Sequence, residues 1–282
     1  MVRFGPSGNC QSFYDAGFKS SIDAPKWLNS IGLTAYEYPF TKGILLGDET
    51  AKKIGEQAKK YNIEISAHAP YYINLANESD ELVVKSFDYI VNSLKKLKIL
   101  GGKHLVVHPG SCMKMNREDA VELAKIRLVK LKSILMQEDL MDMKVCIETM
   151  GKQGQIGSYE EVVDFCLISE NYYPTFDFGH INSLTQGSLK TYDDYLKVLN
   201  YAIEKLGYDK VKNCHMHFSK IQYGPKGEVK HLTLDDDVYG PEFEPLAKAI
   251  KDLGLEPIII CESTVYQAQD AVKLKNIFEN DN

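Results

Sequence analysis

The chain has 282 residues, a formal net charge of −6, 44% hydrophobic residues and six cysteines. That length holds one large domain or two small ones, and an α/β barrel commonly takes about 250 residues. No apolar stretch approaches the roughly 20 residues that span a bilayer, no CxxC pair offers a thiolate metal site, and the acidic balance argues weakly against nucleic acid. Met1 runs at once into the strand-like Val2-Arg3-Phe4, so no secretory leader is expected. The cysteines read as reduced, buried thiols of a cytoplasmic protein.

Short apolar runs alternate with longer amphipathic ones. The spacing predicts strands at 2–5, 35–40, 64–69, 104–109, 144–149, 174–178, 213–218 and 257–263. Helical periodicity fills the intervals. Over 79–100, Leu82, Val83, Phe87, Ile90, Val91 and Leu94 fall on one face, as an amphipathic helix requires. A second helix is expected over 116–138, with Asn116 as N-cap and Glu118 and Asp119 in its first turn. Gly101, Gly207 and Gly254 sit where helices should end. Strand starts recur roughly every 30–45 residues, the spacing of βα units in a parallel sheet. Eight such units without a linker point to a single (β/α)8 TIM barrel over residues 1–282. An open doubly wound sheet would gather its ligands at one switch point.

Six of the runs stop on a residue that binds metals. Ile65-Ser66-Ala67 meets His68, Leu105-Val106-Val107 meets His108, and Val145-Cys146-Ile147 meets Glu148. Thr175-Phe176 meets Asp177 with His180 a turn later, Asn213-Cys214 meets His215, and Ile258-Ile259-Ile260-Cys261 meets Glu262. The C-terminal ends of barrel strands face one pocket, so these residues are expected to converge on a metal site. Nitrogen and oxygen donors without paired cysteines favour zinc or manganese over an iron–sulfur cluster.

Taken singly, His68 or His108 reads equally well as a hydrogen-bonded core histidine. Glu148 and Glu262 are harder to place as bystanders, because glutamate is almost never buried unpaired. His215 and His217 share one strand face; one is expected as a ligand and the other as a pocket or substrate residue. His231 lies in the long polar loop 219–240, where a histidine is ordinarily surface decoration. Tyr71 and Tyr72 could stack on a base or sugar ring, and the run Asp235–Asp237 reads better as a solvated turn than as a ligand.

At these residues the chain resembles the endonuclease IV family of apurinic/apyrimidinic endonucleases. The resemblance is carried by His68-Ala69-Pro70-Tyr71-Tyr72-Ile73-Asn74-Leu75-Ala76, by Val107-His108-Pro109-Gly110 and by Glu148-Thr149-Met150-Gly151. Phe176-Asp177-Phe178-Gly179-His180 and the stretch from His215 to Lys220 followed by His231 complete it. The resemblance implies two or three Zn2+ ions in a barrel that cuts double-stranded DNA 5′ to an abasic site. Glu148 would bridge a first ion, completed by His68 and His108, and a second, completed by Asp177, His215 and Glu262. His180 and His231 would hold the third. Glu148 and Glu262 are then the expected catalytic residues, Tyr71, Tyr72 and Asn74 the expected DNA-facing ones, and the protein a monomer.

Three departures fall on the third ion and the DNA-facing loops. Val229-Lys230-His231 stands where the family has Asp-x-His, with Glu228 one residue away. Phe40-Thr41-Lys42-Gly43-Ile44-Leu45 lacks the expected arginine, and Asp235–Asp237 replaces a Gly-Glu-Gly stretch. Two other functions stay open. One is a sugar isomerase or epimerase of the related xylose-isomerase-like barrels, with a single manganese or magnesium at Glu148, Asp177, His215 and Glu262. The other is a barrel that binds damaged DNA without cutting it. Metal stoichiometry separates the first of these from the nuclease.

Overall fold

The structure, a computed structural model, describes residues 1–280. Its strands are β1 (Arg3–Pro6), β2 (Ala35–Pro39), β3 (Glu64–His68), β4 (His104–Val107), β5 (Lys144–Glu148), β6 (Tyr172–Asp177), β7 (His215–Phe218), β8 (Lys220–Gly224), β9 (Gly227–Leu232) and β10 (Ile258–Cys261). Eight of them form one parallel sheet in the order β1-β10-β7-β6-β5-β4-β3-β2. Each predicted strand has its counterpart there, with ends shifted by a residue or two. Helices cover the outside, so the strands are buried on both faces and read as nearly continuous apolar runs. This is a (β/α)8 TIM barrel.

The seam between β1 and β2 closes it. Thr34 N–H donates to Phe4 O at 2.9 Å, Gly8 N–H to Glu37 O at 2.9 Å, and Ser7 pairs with Glu37 in a parallel bridge. Gly5 makes this approach possible, because a Cβ there would lie 1.8 Å from the Ala35 carbonyl oxygen.

The helix expected over 79–100 runs from Asp80 to Leu100. Ser79 accepts a hydrogen bond from Leu82 N–H, and Gly101 ends the helix at φ 79°, a left-handed conformation that glycine adopts without strain. Leu82 leaves the predicted apolar face and is 46% exposed. The helix Arg117–Gln137 starts at Asn116, whose side chain accepts from Asp119 N–H at 2.9 Å. The six cysteines are free thiols, all buried but Cys112. No helix among the described residues is long and apolar enough to cross a membrane.

The loop expected over 219–240 instead contains an antiparallel hairpin, β8–β9. It lies outside the barrel sheet and is tied to the loop after β5 by a Lys152–Gly227 bridge. Glu228 N–H also donates to Gly151 O at 2.9 Å. Asp235–Asp237 is a solvated turn: Asp236 Oδ1 accepts from Val238 and Tyr239 N–H, and Asp235 pairs with Lys273.

The seam yields a stability prediction. Gly5→Ala forces β1 away from β2, so urea unfolding should show a loss of about 1–3 kcal/mol, the usual cost of overpacking. An unchanged midpoint would mean that Gly5 does not set the closure.

Candidate metal centre

His68, Glu148 and Asp177 are the last residues of β3, β5 and β6, while His108 and Glu262 directly follow β4 and β10. Parallel pairing puts all of these ends on one side of the barrel. Glu148 is fully buried at the centre and divides its two oxygens between two sets of imidazoles. Oε2 lies 2.9 Å from His108 Nε2 and 3.3 Å from His68 Nε2. Oε1 lies 2.9 Å from His217 Nδ1 and 3.5 Å from His180 Nδ1.

Two donor groups therefore share Glu148: His68, His108 and Glu148 form one, and Glu148, Asp177, His217 and Glu262 the other. Within each, the candidate ligand atoms lie within 4.8 Å of one another. His217 occupies the place expected for His215. The strand β7 begins at His215 and runs on to Phe218, and Asp177 is in register with His217. With a rise of about 3.3 Å per residue, His215 sits roughly 6.6 Å deeper on the same inward face. There its Nε2 lies 3.0 Å from Ser66 Oγ and 3.4 Å from Glu37 Oε2.

The hairpin assembles a third group from His180, Glu228 and His231. His180 Nε2 is 3.5 Å from Glu228 Oε2, and His231 Nε2 is 3.9 Å from Glu228 Oε1. In a regular strand, residues three apart point to opposite faces. Here the register steps from Gln222↔Lys230 to Tyr223↔Glu228, which leaves Val229 as an extra, bulged residue. A bulge shifts the alternation by one, so Glu228 and His231 meet on one side. Val229, which stands where the family pattern has aspartate, is 58% exposed. Glu228, one residue along, is the carboxylate that the bulged hairpin brings beside His180 and His231.

Several imidazoles are fixed from behind. The Nδ1 of His68 is 2.8 Å from Ala69 O, and that of His180 is 2.9 Å from Thr149 O. A carbonyl only accepts, so these rings carry Nδ1–H and turn Nε2 inward. The Nδ1 of His231 is 2.8 Å from Ser219 Oγ. A hydrogen bond on the far nitrogen is the usual support of a metal-binding histidine.

The donor set fits a divalent cation on the structure's own terms. Asp177 Oδ2 is buried with no hydrogen-bond partner, yet lies in the group with Glu148 and Glu262. Burial raises the Asp177 pKa, and the charges of Glu148 and Glu262 push the same way against the counter-effect of His180. Burial alone would raise Glu148, but His217 and His108 hold it well below the usual carboxylate range. Burial likewise opposes the charging of His68, which the Glu148 carboxylate nevertheless lifts to about 9. His180 rises to about 10 against the same opposition, through Asp177 and Glu148. His215, governed by burial, falls to about 4. Without a cation, protons on the histidines balance the buried carboxylates.

Beside the groups lies a cavity of about 390 Å³ lined by His68, His108, His180, Glu228, His231 and Glu262 together with Tyr71, Met150, Lys152 and Gln155. Tyr71 is 57% exposed, its ring centroid 5.3 Å from that of His108. Burial and the carboxylates of Glu262 and Glu148 keep its phenol protonated. Tyr72 is 63% exposed. Asn74 is engaged elsewhere: its Oδ1 accepts from Ser111 N–H at 3.1 Å and Ala76 N–H at 3.0 Å, bracing two loops. Sequence reasoning missed Lys152, whose ammonium is 3.9 Å from Glu228, and Glu37. The rule that singled out Glu148, a carboxylate inside an apolar strand, applies equally to Glu37 in Ala35-Tyr36-Glu37-Tyr38.

These protons set a pH dependence. In the metal-free protein His68 and His180 stand above the 6.5 of an unfolded imidazole, at about 9 and about 10. Their contribution to stability is therefore complete below pH 6.5 and lost as pH rises through 9 to 10. Histidines pushed below 6.5 are neutral in both states over that window and do not contribute. Thermal melts in chelator should show a falling Tm from pH 6.5 to 10. Zinc displaces the same protons, so the gap between zinc-loaded and metal-free Tm should widen over this range. A metal-free Tm flat from pH 6.5 to 10 would contradict this charge balance.

Residues 25–277 match the family model described as "Xylose isomerase-like TIM barrel". An uncharacterized protein of Methanocaldococcus jannaschii is 34% identical over 99% of this chain and 97% of its own. A probable endonuclease 4 of Mycoplasma genitalium is 29% identical over 90% of this chain and 84% of its own. Among solved structures, endonuclease IV from Thermus thermophilus superposes with a TM-score of 0.68 at 20% identity, covering 98% of this chain and 97% of that one. A D-tagatose 3-epimerase-like protein gives 0.65 at 22% identity over 89% and 88%. At these identities the superpositions speak for the fold alone. This chain belongs to the xylose isomerase-like TIM barrel family, and its resemblance within that family is to the endonuclease IV type.

Proposed function

We propose that this protein is a zinc-dependent DNA-repair endonuclease that hydrolyses the phosphodiester 5′ to an abasic site. The observation that carries the reading is that three of the four donor groups gather around one cavity, two of them sharing Glu148, while the fourth, Glu37, His215 and His217, lies deeper in the barrel. A single-metal isomerase needs only the group of Glu148, Asp177, His217 and Glu262. It has no use for His68 and His108 on one flank or for His180, Glu228 and His231 on the other. Cleaving a phosphodiester does: charge builds on several oxygens at once, and adjacent cations stabilise the attacking and leaving oxygens together.

Bound in these groups, zinc supplies Lewis acidity toward phosphate oxygens and makes water acidic enough to attack at neutral pH. His68, His108 and Glu148 would hold one ion, Asp177, His217 and Glu262 with Glu148 a second, and His180, Glu228 and His231 a third. Glu262 lines the cavity. Burial would raise its pKa, but His217 holds it below the usual carboxylate range, so it is ionised and presents a charged oxygen to a cation and to the cavity. Tyr71 lines the cavity and Tyr72 follows it in the chain; both offer exposed aromatic faces, the kind of surface on which an unpaired base stacks. An abasic nucleotide swings out of a duplex at reduced cost, because it has no base to unstack. Lys152 brings a positive charge to the cavity lining, where the phosphate would enter.

The four-residue group also suits one exchangeable manganese or magnesium holding a ketose, and the net charge of −6 favours a sugar over DNA. Nicking separates the two. Zinc-loaded protein on a duplex with one tetrahydrofuran abasic analogue should cut on the 5′ side and leave a 3′-hydroxyl. No nick, together with aldose–ketose or epimer conversion by the manganese form, would replace the nuclease with the isomerase. The third group has its own test. Glu228→Gln should lower bound zinc by one ion per chain and slow nicking by about 10²-fold or more, the scale of losing one transition-state stabiliser. Unchanged zinc content would remove Glu228 from the donor set.

A further inference from the structure

Beneath the four-residue group, β2 contributes a side chain that no sequence motif singles out. Glu37 is fully buried. Its Oε2 lies 3.1 Å from His217 Nε2 and 3.4 Å from His215 Nε2, and its Oε1 is 3.3 Å from Ser7 Oγ, which donates to it. Its backbone is pinned at the barrel seam by the Ser7–Glu37 bridge and by Gly8 N–H. On the opposite edge of the His217 ring, Nδ1 lies 2.9 Å from Glu148 Oε1, 3.3 Å from Glu262 Oε2 and 4.0 Å from Asp177 Oδ2.

We propose that Glu37 is a positioning residue: it accepts the Nε2 proton of His217 and so presents the Nδ1 lone pair to a cation among Glu148, Asp177 and Glu262. A neutral imidazole has one N–H and one lone pair. With carboxylates on both edges, each nitrogen of the ring has an acceptor for a proton. A cation in the four-residue group decides, because it requires a lone pair at Nδ1, and Glu37 is the acceptor that the displaced tautomer then needs. His68 and His180 have carbonyls in the corresponding place and His231 a hydroxyl. The carboxylate behind His217 makes its ring the more basic donor, and such partners typically contribute about 10–100-fold to metal affinity. Ser7 keeps Glu37 from turning away, and the deep His215, hydrogen-bonded to Ser66, packs 3.4 Å from the same carboxylate.

This inference rests on the proposal that the four-residue group binds a divalent cation, and it holds for a nuclease or an isomerase alike. Zinc binding to wild type, Glu37→Gln and Glu37→Leu is measured by competition with a chromophoric chelator, with the total zinc count read alongside. Glu37→Leu should weaken one site by about 10–100-fold and Glu37→Gln by less, since an amide oxygen still accepts the proton. The zinc count at saturation should stay the same. Affinities within about twofold of wild type would overturn the role while leaving the metal site standing. A saturated count lower by one ion in Glu37→Leu, with the other sites intact, would make Glu37 a ligand and equally overturn it. Wild type that binds no cation would remove the functional reading and this inference together. Should both variants fail to fold, wild type loaded with 113Cd and labelled with 15N-histidine still decides. Cadmium coupling to His217 Nδ1 with a protonated Nε2 supports the role, and coupling to Nε2 refutes it.

Discussion

Burying a carboxylate in the middle of a barrel costs several kcal/mol unless charge and hydrogen bonds compensate for it, and Glu148 is where this protein meets that constraint. Its ion-pair partners among the described residues are imidazoles, supplied by His68, His108, His180 and His217. No lysine or arginine is paired with it among the described residues. Imidazole can give up its proton near neutrality and become a ligand, which an ammonium or guanidinium cannot readily do. The same set of groups thus has two balanced states, protons on histidine or cations between histidine and carboxylate. The barrel's geometry follows from that need, because only the C-terminal ends of parallel strands can bring so many side chains from separate parts of the chain to one point.

Around this centre the protein has departed from its family's pattern without dispersing the site. The third group depends on a hairpin outside the barrel sheet, and the bulge at Val229 brings Glu228 and His231 to one side. The hairpin is attached to the loop after β5 through Gly151, Lys152 and Gly227, the loop that follows Glu148 itself. Below the centre, Glu37 and His215 extend the polar network into the barrel floor and connect it to the β1–β2 seam. The surface that closes the barrel and the residues that orient its donors are therefore the same.

The barrel is legible because parallel strands, buried on both faces, write themselves as apolar runs, and ligands at strand ends announce themselves by interrupting those runs. Where the interruption falls on one residue, as at Glu148 or Asp177, its position in space follows. Where two histidines alternate on β7, the preceding apolar run stops at the first, but the second is level with Asp177, so His217 takes the place expected for His215. The hairpin reads as loop because its strands are polar and half exposed, with no apolar alternation to mark them. Glu228 is visible in the sequence only as a neighbour of the gap: a bulge depends on pairing between two segments and leaves no mark in either alone. Asn74 belongs to a motif that implies DNA, while the structure engages its amide in joining two loops.

Glu148 is proposed to be shared between adjacent cations. Anomalous diffraction at the zinc edge from zinc-soaked crystals tests it most directly. One peak is expected on each side of the Glu148 carboxylate, about 3.5–4 Å apart as in two-metal sites, and a further peak among His180, Glu228 and His231. A single peak within Glu148, Asp177, His217 and Glu262, with nothing beside His68 and His108, would contradict it.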